Sequence, residues 1–311
     1  MSKIEVDKVI SGDLRSISRM ITILENRRFE ADQYYKEIFP HTGKAQVIGI
    51  TGPPGSGKST FVDKITLGFR REGKKVGIIA VDPTSPFTGG SILGDRMRMS
   101  NHFCDDGVFI RSMGTRGQLG GISATTTAAV DVLDAAGYDV IIVETVGVGQ
   151  SEVEIASIAD LVILVFVPGL GDDIQAIKAG IMEIGDVFVV NKCDLPGADR
   201  TRAELLQTLA MSAEEKDNPK VYMTDSNLGF GIDEVIFECK AFFENGNNSG
   251  KVEKKRSDRV RKEILSYVNL FIKEDIDKSE HASIIVDKVR NREMDPYTAG
   301  KEIINIVLRK G

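Results

Sequence analysis

A single turn constrains this chain more than any other feature of its sequence. After the apolar run VIGIT comes Gly52-Pro-Pro-Gly-Ser-Gly57-Lys58-Ser59-Thr60, an intact G-x-x-x-x-G-K-S that leads directly into the helix-like stretch TFVDKITLGFRREG. A strand that turns through glycines into a helix builds a concave nest of backbone N–H donors, and the helix start adds its positive dipole end. Phosphates fit such a cradle. Gly52, Gly55, Ser56 and Gly57 form the turn, Lys58 is placed to reach the β- and γ-phosphates, Ser59 offers a hydroxyl to magnesium, and Thr60, which follows, completes the set of candidate nucleotide-binding residues in the turn.

The rest of the chain agrees with that turn. From Gln46 onward, short β-rich runs (VIGIT, KVGIIAVD, GVFIRS, DVIIVET, LVILVFV, DVFVVNK and KVYMT) alternate with Gly-rich turns and helix-length stretches. Alternation of this kind predicts an α/β fold, a P-loop NTPase with a mostly parallel central sheet. The runs are nearly all apolar, as strands buried on both faces must be. Before them, Ile17, Met20, Ile21 and Leu24 recur at helical spacing, and a charged run ends at Pro40, which predicts two short helices. After Phe243 the polar stretch ENGNNSGK reads as a linker, and two helical patterns follow, the second broken by Pro296. The predicted domains are an N-terminal helical extension over 1–45, a nucleotide domain over 46–245 and a C-terminal helical arm over 246–311.

Composition narrows the function. Hydrophobic residues at 41% and charged residues at 28% are ordinary for a globular protein. The longest apolar run, Leu161 to Val167, is seven residues, against about 20 for a membrane span. With no secretory pattern at the N-terminus, no membrane anchor and a cytoplasmic location are expected. Cys104, Cys193 and Cys239 are scattered and form no C-x-x-C spacing, so they read as reduced thiols. A net charge of −6 argues against a nucleic-acid partner, although residues 251–262 carry a local +5.

A late strand ends in Asn191-Lys192-Cys193-Asp194, an N-K-x-D sequence. A carboxylate there accepts both N1–H and the exocyclic N2–H of guanine, whereas adenine has no N1 donor and would leave Asp194 unpaired. Sites built to hydrogen-bond their substrate discriminate by roughly 10⁴, so GTP is expected over ATP. Between the two motifs, the strand DVIIVE ends in Glu144-Thr-Val-Gly147. Glu144 is a candidate for binding magnesium through water or for orienting the attacking water, and the Gly147 amide is a candidate for the γ-phosphate. Asp82 ends another strand and is a second candidate for a magnesium water; both acids have the alternative of simply capping a strand-to-loop turn. The small-residue loop 84–98 adds Asp95, for the magnesium shell, and Arg98, for charge developing on the phosphate, with a solvated helix start as the alternative. Val148 follows Gly147 where many signalling GTPases have a water-orienting Gln, so slow unassisted hydrolysis is expected.

Taken together, GPPGSGKST, VDPTSPFTGGSILGDRMRM, RGQLGGIS, ETVGVGQSE, PGLGDDIQAIKAGIMEI and NKCDL resemble, in order and spacing, the MeaB/ArgK GTPases associated with methylmalonyl-CoA mutase. The resemblance covers roughly residues 45–210 closely. It implies a homodimeric GTPase chaperone of an adenosylcobalamin-dependent acyl-CoA mutase, one that gates cofactor loading and protects the mutase from inactivation. It implies GTP/GDP and Mg²⁺ as ligands, with Lys58 and Ser59 at the phosphates and metal, Asp82, Asp95 and Glu144 as the acidic cluster, and Asn191, Lys192 and Asp194 at the base. It also implies a switch loop that relays nucleotide state to the mutase, with Asp172, Asp173, Gln175 and Lys178 as its polar residues; their alternative is a helix N-terminus whose acids favour the dipole. The chain departs from the family at the last base loop, where a Ser-Ala pair is usual and Thr224-Asp-Ser-Asn-Leu-Gly229 stands instead. Ser226 or Asn227 is the candidate contact there. The C-terminal helices match the dimerisation arm in position, but Ile264, Leu265, Val268 and Phe271 have intramolecular packing as their alternative. Three other functions are less favoured: a metal-delivery GTPase, by the scattered His and Cys; an amino-acid-transport-associated kinase, for which no residue pattern argues; and a module that binds nucleotide without turnover, by the intact Lys58, Ser59 and Glu144.

Overall fold

Strands this apolar must face two cores at once, and the computed structural model shows them doing so. It describes residues 6–26, 31–82, 105–114, 121–145, 154–169, 182–212, 220–277 and 279–308. Seven strands form one sheet: β1 (Gln46–Thr51), β2 (Val76–Asp82), β3 (Val108–Gly114), β4 (Val140–Thr145), β5 (Leu161–Phe166), β6 (Val187–Val190) and β7 (Val221–Met223). Their order is β3-β2-β4-β1-β5-β6-β7, and every described pairing is parallel. Side chains alternate between faces with the period of the pleat. Thus Leu161, Ile163 and Val165 enter one core, while Val162, Leu164 and Phe166 enter the other.

Each core has its own helices. One face is covered by α4 (Lys58–Arg71), through Phe61, Val62, Ile65 and Phe69, and by a later helix over Ile232–Ser249. The opposite face takes α5 (Gly121–Ala135), α6 (Ala198–Ser212) and the N-terminal helices α1 (Val6–Ile10), α2 (Leu14–Glu25) and α3 (Ala31–Ile38). The spacing predicted for α2 holds: Ile17, Met20, Ile21 and Leu24 are buried. At roughly 1.5–3 kcal/mol for each large apolar side chain removed from water, that stripe docks the helix. Where the sequence reading expects two N-terminal helices there are three, because the five residues of α1 are too few to show a helical period.

Polar contacts then fix these helices in place. Asp13 caps α2 by accepting the Ser16 amide at 2.8 Å, which holds its carboxyl below the usual range. The Asp134 carboxylate on α5 accepts the amides of Gly43, Lys44 and Ala45, closing the approach to β1. On the edge strand β3, Arg111 donates to Glu25 at 2.9 Å and to Thr22 at 3.1 Å, both on α2.

The stretch read as a linker is helical. Following the order of the chain, α7 (Ile232–Ser249) runs straight through it and stops at Gly250, where φ is +72°. The next helix, α8 (Lys251–Asp277), starts at once, and Lys255 on its first turns donates to the Asp186 carboxylate at 2.7 Å. Lys251 and Lys255 also lie over the Phe242 ring. Part of the basic run is therefore used in packing, and the chain divides into compact units after Lys255, at 1–255 and 256–311, rather than near 246. Within the second unit, α9 (Glu280–Arg290) and α10 (Pro296–Leu308) are separated at Pro296 as predicted, and Asp295 caps α10 by accepting the amides of Tyr297 and Thr298.

Replacing Arg111 by Ala leaves the Glu25 carboxylate, only 8% exposed, without its cation. The expected cost is about 2 kcal/mol, read as a lower denaturation midpoint in urea with an unchanged slope.

Candidate functional site

The site is built where β1, β4 and β6 end. Ile50 near the end of β1 is in register with Glu144 on β4, so the turn after β1 and the acid closing β4 reach the same sheet edge. Ligands of open α/β sheets bind beyond such carboxyl ends. The turn itself depends on glycine. Gly52 has φ +149°, and a Cβ there would lie 2.1 Å from the Val165 carbonyl oxygen. Gly57 caps α4 with φ +81°, and a Cβ there would lie 2.6 Å from Asn191 Nδ2. Both glycines therefore let the turn pack directly against β5 and Asn191, and their backbone conformations are ones that a side chain would strain.

Lys58 is 7% exposed, and its ammonium donates to the carbonyls of Gly52 at 2.8 Å and Pro53 at 2.9 Å, within the loop it is expected to serve. Ser59 donates its hydroxyl to Glu144 Oε1 at 2.7 Å. The Glu144 carboxylate is 2% exposed, so two oxygens of the kind Mg²⁺ prefers stand side by side in a site shielded from water. Beneath them Thr145 donates to Thr51 Oγ1 at 2.7 Å, tying β4 to β1 at the same edge. Ser56 is buried, and its Oγ has no hydrogen-bond partner among the described residues. Gly55 and Thr60 are exposed at the rim of the turn.

The base motif is joined to the phosphate turn. Asn191 is 1% exposed; its amide donates to the Ser56 carbonyl at 2.9 Å, and its Oδ1 accepts from Thr224 Oγ1 (3.1 Å), Ser226 N (3.1 Å) and Ser226 Oγ (2.7 Å). Lys192, with φ +55°, donates its ammonium to the Gly55 carbonyl at 2.9 Å. Asp194 is exposed. Between them, the Cys193 thiol is pushed up by burial, and further by the charges of Asp225, Asp194 and Asp199, so it stays protonated at neutral pH. Asn227 is exposed, and its amide donates to the Asp225 carboxylate at 2.9 Å.

The structure thus gathers Gly52, Gly55, Ser56, Gly57, Lys58, Ser59 and Glu144 at one edge, bonded to Lys192 through Gly55 and to Ser226 through Asn191. Asp82 ends β2, but its side chain lies outside what is described, as do Asp95, Arg98, Gly147, Asp172, Asp173, Gln175 and Lys178. Three residues were not singled out from the sequence: Thr51, Thr145 and Asp225. The first two carry no pattern, since a threonine in a strand is unremarkable. For Asp225 the signal was present, because an Asp followed by Ser-Asn-Leu-Gly is a typical side-chain-capped turn.

Comparison with known proteins agrees with this geometry. A family model described as "Methylmalonyl Co-A mutase-associated GTPase MeaB" matches residues 17–281. A Pyrococcus horikoshii protein named as a GTPase is 47% identical over 311 residues, covering 97% of this chain and 97% of the relative. GTPase ArgK of Escherichia coli is 35% identical over 321 residues, covering 97% of this chain and 95% of the relative. The crystal structure of an LAO/AO transport system kinase superposes with a TM-score of 0.69 at 28% identity, over 97% of this chain and 96% of that one.

Substituting Gly57 by Ala both forces a side chain into the left-handed region and drives its Cβ against Asn191. Strain of about 1–3 kcal/mol is expected to lower the melting temperature by a few degrees and, by displacing Asn191 and the turn, to weaken GTP binding about tenfold, measured by titration calorimetry below the melting range.

Proposed function

Because the chain belongs to the MeaB family of methylmalonyl Co-A mutase-associated GTPases, we propose that its nucleotide cycle serves an adenosylcobalamin-dependent acyl-CoA mutase, foremost methylmalonyl-CoA mutase. The chain is a P-loop GTP hydrolase. In the proposed role it gates cofactor loading and guards the mutase against inactivation, in the cytoplasm and as a homodimer.

The observation that carries the hydrolytic reading is the Ser59–Glu144 pair at 2.7 Å, set beside the buried Lys58. Lys58 neutralises phosphate charge, and Glu144 orients the attacking water or holds a metal-bound one. Ser59 and Glu144, with Asp82 at the end of β2, are the residues that would hold Mg²⁺, which when bound offsets charge on the phosphate oxygens. Asp95 and Arg98 are assigned to the moving shell around the γ-phosphate, and Gly147 to an amide contact with it. Asp194 accepts the guanine N1–H and N2–H, held in place by Asn191 and Lys192, whose side chains grip the phosphate turn. Asp172, Asp173, Gln175 and Lys178 are assigned to relay nucleotide state to the mutase.

Support for a homodimer comes from α8, where Ile264, Leu265, Val268 and Phe271 are 43–57% exposed. Apolar side chains concentrated on one exposed helix mark an interaction surface rather than scatter.

Multiple-turnover GTP hydrolysis with and without methylmalonyl-CoA mutase tests this reading. Turnover is expected to rise on adding the mutase, and Lys58→Ala or Glu144→Ala is expected to lower it by about 10²–10³-fold. Unchanged turnover with cobalamin-dependent mutases would remove the partner while leaving the GTPase itself intact.

A further inference from the structure

The base loop holds a buried carboxylate that the nucleotide motifs do not account for. Asp225 is 5% exposed, and its Oδ1 accepts the amides of Asn227 at 2.9 Å and Leu228 at 3.3 Å. Its backbone closes the same loop: the carbonyl accepts Gly229 N at 2.8 Å and Phe230 N at 3.1 Å, and its amide donates to the Phe230 carbonyl at 3.1 Å. Residues 225–230 therefore form a small ring of hydrogen bonds with one carboxylate at its centre. An ionised acceptor of backbone amides makes stronger bonds than a neutral one, and an Asp that captures the amide two residues on sets the turn locally.

That ring fixes the direction of the next residue. Ser226 leaves Asp225 with both its amide and its hydroxyl on Asn191 Oδ1, and Asn191 in turn donates to the Ser56 carbonyl of the phosphate turn. A second strap runs from the Cys193 amide to the Thr224 carbonyl at 3.0 Å. Asp194 hangs from the segment these bonds hold, so the aim of its exposed carboxylate depends on a loop organised from Asp225.

We propose that Asp225 is a positioning residue for guanine selectivity: its carboxylate folds loop 225–230 so that Ser226 locks Asn191, and Asn191 and Cys193 hold Asp194 in line with the base. The inference rests on the assignment of Asp194 as the guanine acceptor. It separates two functions that a sequence motif merges, since Ser226 acts on the protein rather than on the nucleotide. Asn227, exposed and held by its amide, is left as the side chain on the open side of the loop.

The test is the ratio of kcat/KM for GTP over ATP in three variants. Asp225→Ala is expected to lower the ratio about tenfold, through KM for GTP rather than through kcat, since the turn loses the acceptor that organises it. Asp225→Asn keeps an Oδ1 acceptor for the same amides and is expected to stay within about threefold of the parent, a rescue that follows from turn geometry. Full selectivity in the Ala variant, or an equal loss in the Asn variant, overturns the proposal. Asp194→Ala is the control. Selectivity lost there and kept in Asp225→Ala sinks the positioning role alone, whereas selectivity kept in Asp194→Ala sinks both it and the guanine assignment. If the Ala variant melts below assay temperature, hydrogen exchange in the parent decides: protected amides at Asn227 and Leu228 support the turn, and exchange at the rate of an open loop overturns it.

Discussion

Parallel register is what the remainder of this molecule depends on. In a parallel sheet every strand ends at the same edge, and here β1, β4, β5 and β6 are held at matching heights, with Ile50 opposite Glu144, Thr51 opposite Leu164 and Phe166 opposite Val190. The phosphate turn, the acid that meets Ser59 and the base motif are separated by scores of residues in the chain, yet each leaves its strand at that edge. A slip of one residue would send each strand's side chains to the opposite core. With both faces buried, such a slip exchanges Leu161, Ile163 and Val165 for Val162, Leu164 and Phe166, a change that close-packed cores reject. Apolar packing thus fixes the geometry of polar groups it never touches.

At the edge, polar groups take over the ordering. Lys58, Glu144 and Asn191 are all buried, and burying groups of this kind is costly unless each is bonded. Each is: Lys58 to two carbonyls, Glu144 to Ser59, and Asn191 to Ser56, Thr224 and Ser226. The site is preorganised because the alternative arrangements leave buried donors or acceptors unpaired. The same rule operates on the opposite side of the sheet, where Asp134 gathers three amides and Glu25 meets Arg111. There it serves packing, binding the N-terminal helices into one unit with the sheet.

How much of this could be read in advance varied with the range of the interaction. Strands, the phosphate turn, the α2 stripe and the break at Pro296 follow from local spacing and were legible. The helical continuation through ENGNNS was not, because Gly and Asn weaken a helix by about 1 kcal/mol or less each, and packing can outweigh that. Gly246, for instance, leaves room for Val252, whose Cγ2 would lie 2.6 Å from a Cβ at that position. The Thr51–Thr145 pair was equally invisible, as two hydroxyls in two strands meet only once the register is set.

The sequence by itself determined which groups are available: glycines that permit the turn, a lysine and a serine at its end, and an N-K-x-D sequence at the end of a late strand are properties of residue type and short spacing. The sequence also determined the alternation that makes a parallel sheet. Only the tertiary structure decided how these parts are joined. That Asn191 spans from the base loop to the phosphate turn, that Ser226 answers to Asn191, and that Asp225 folds the loop between them depends on side chains brought within about 3 Å across the fold. Contacts of that length depend on strand register and side-chain packing, which no local pattern encodes.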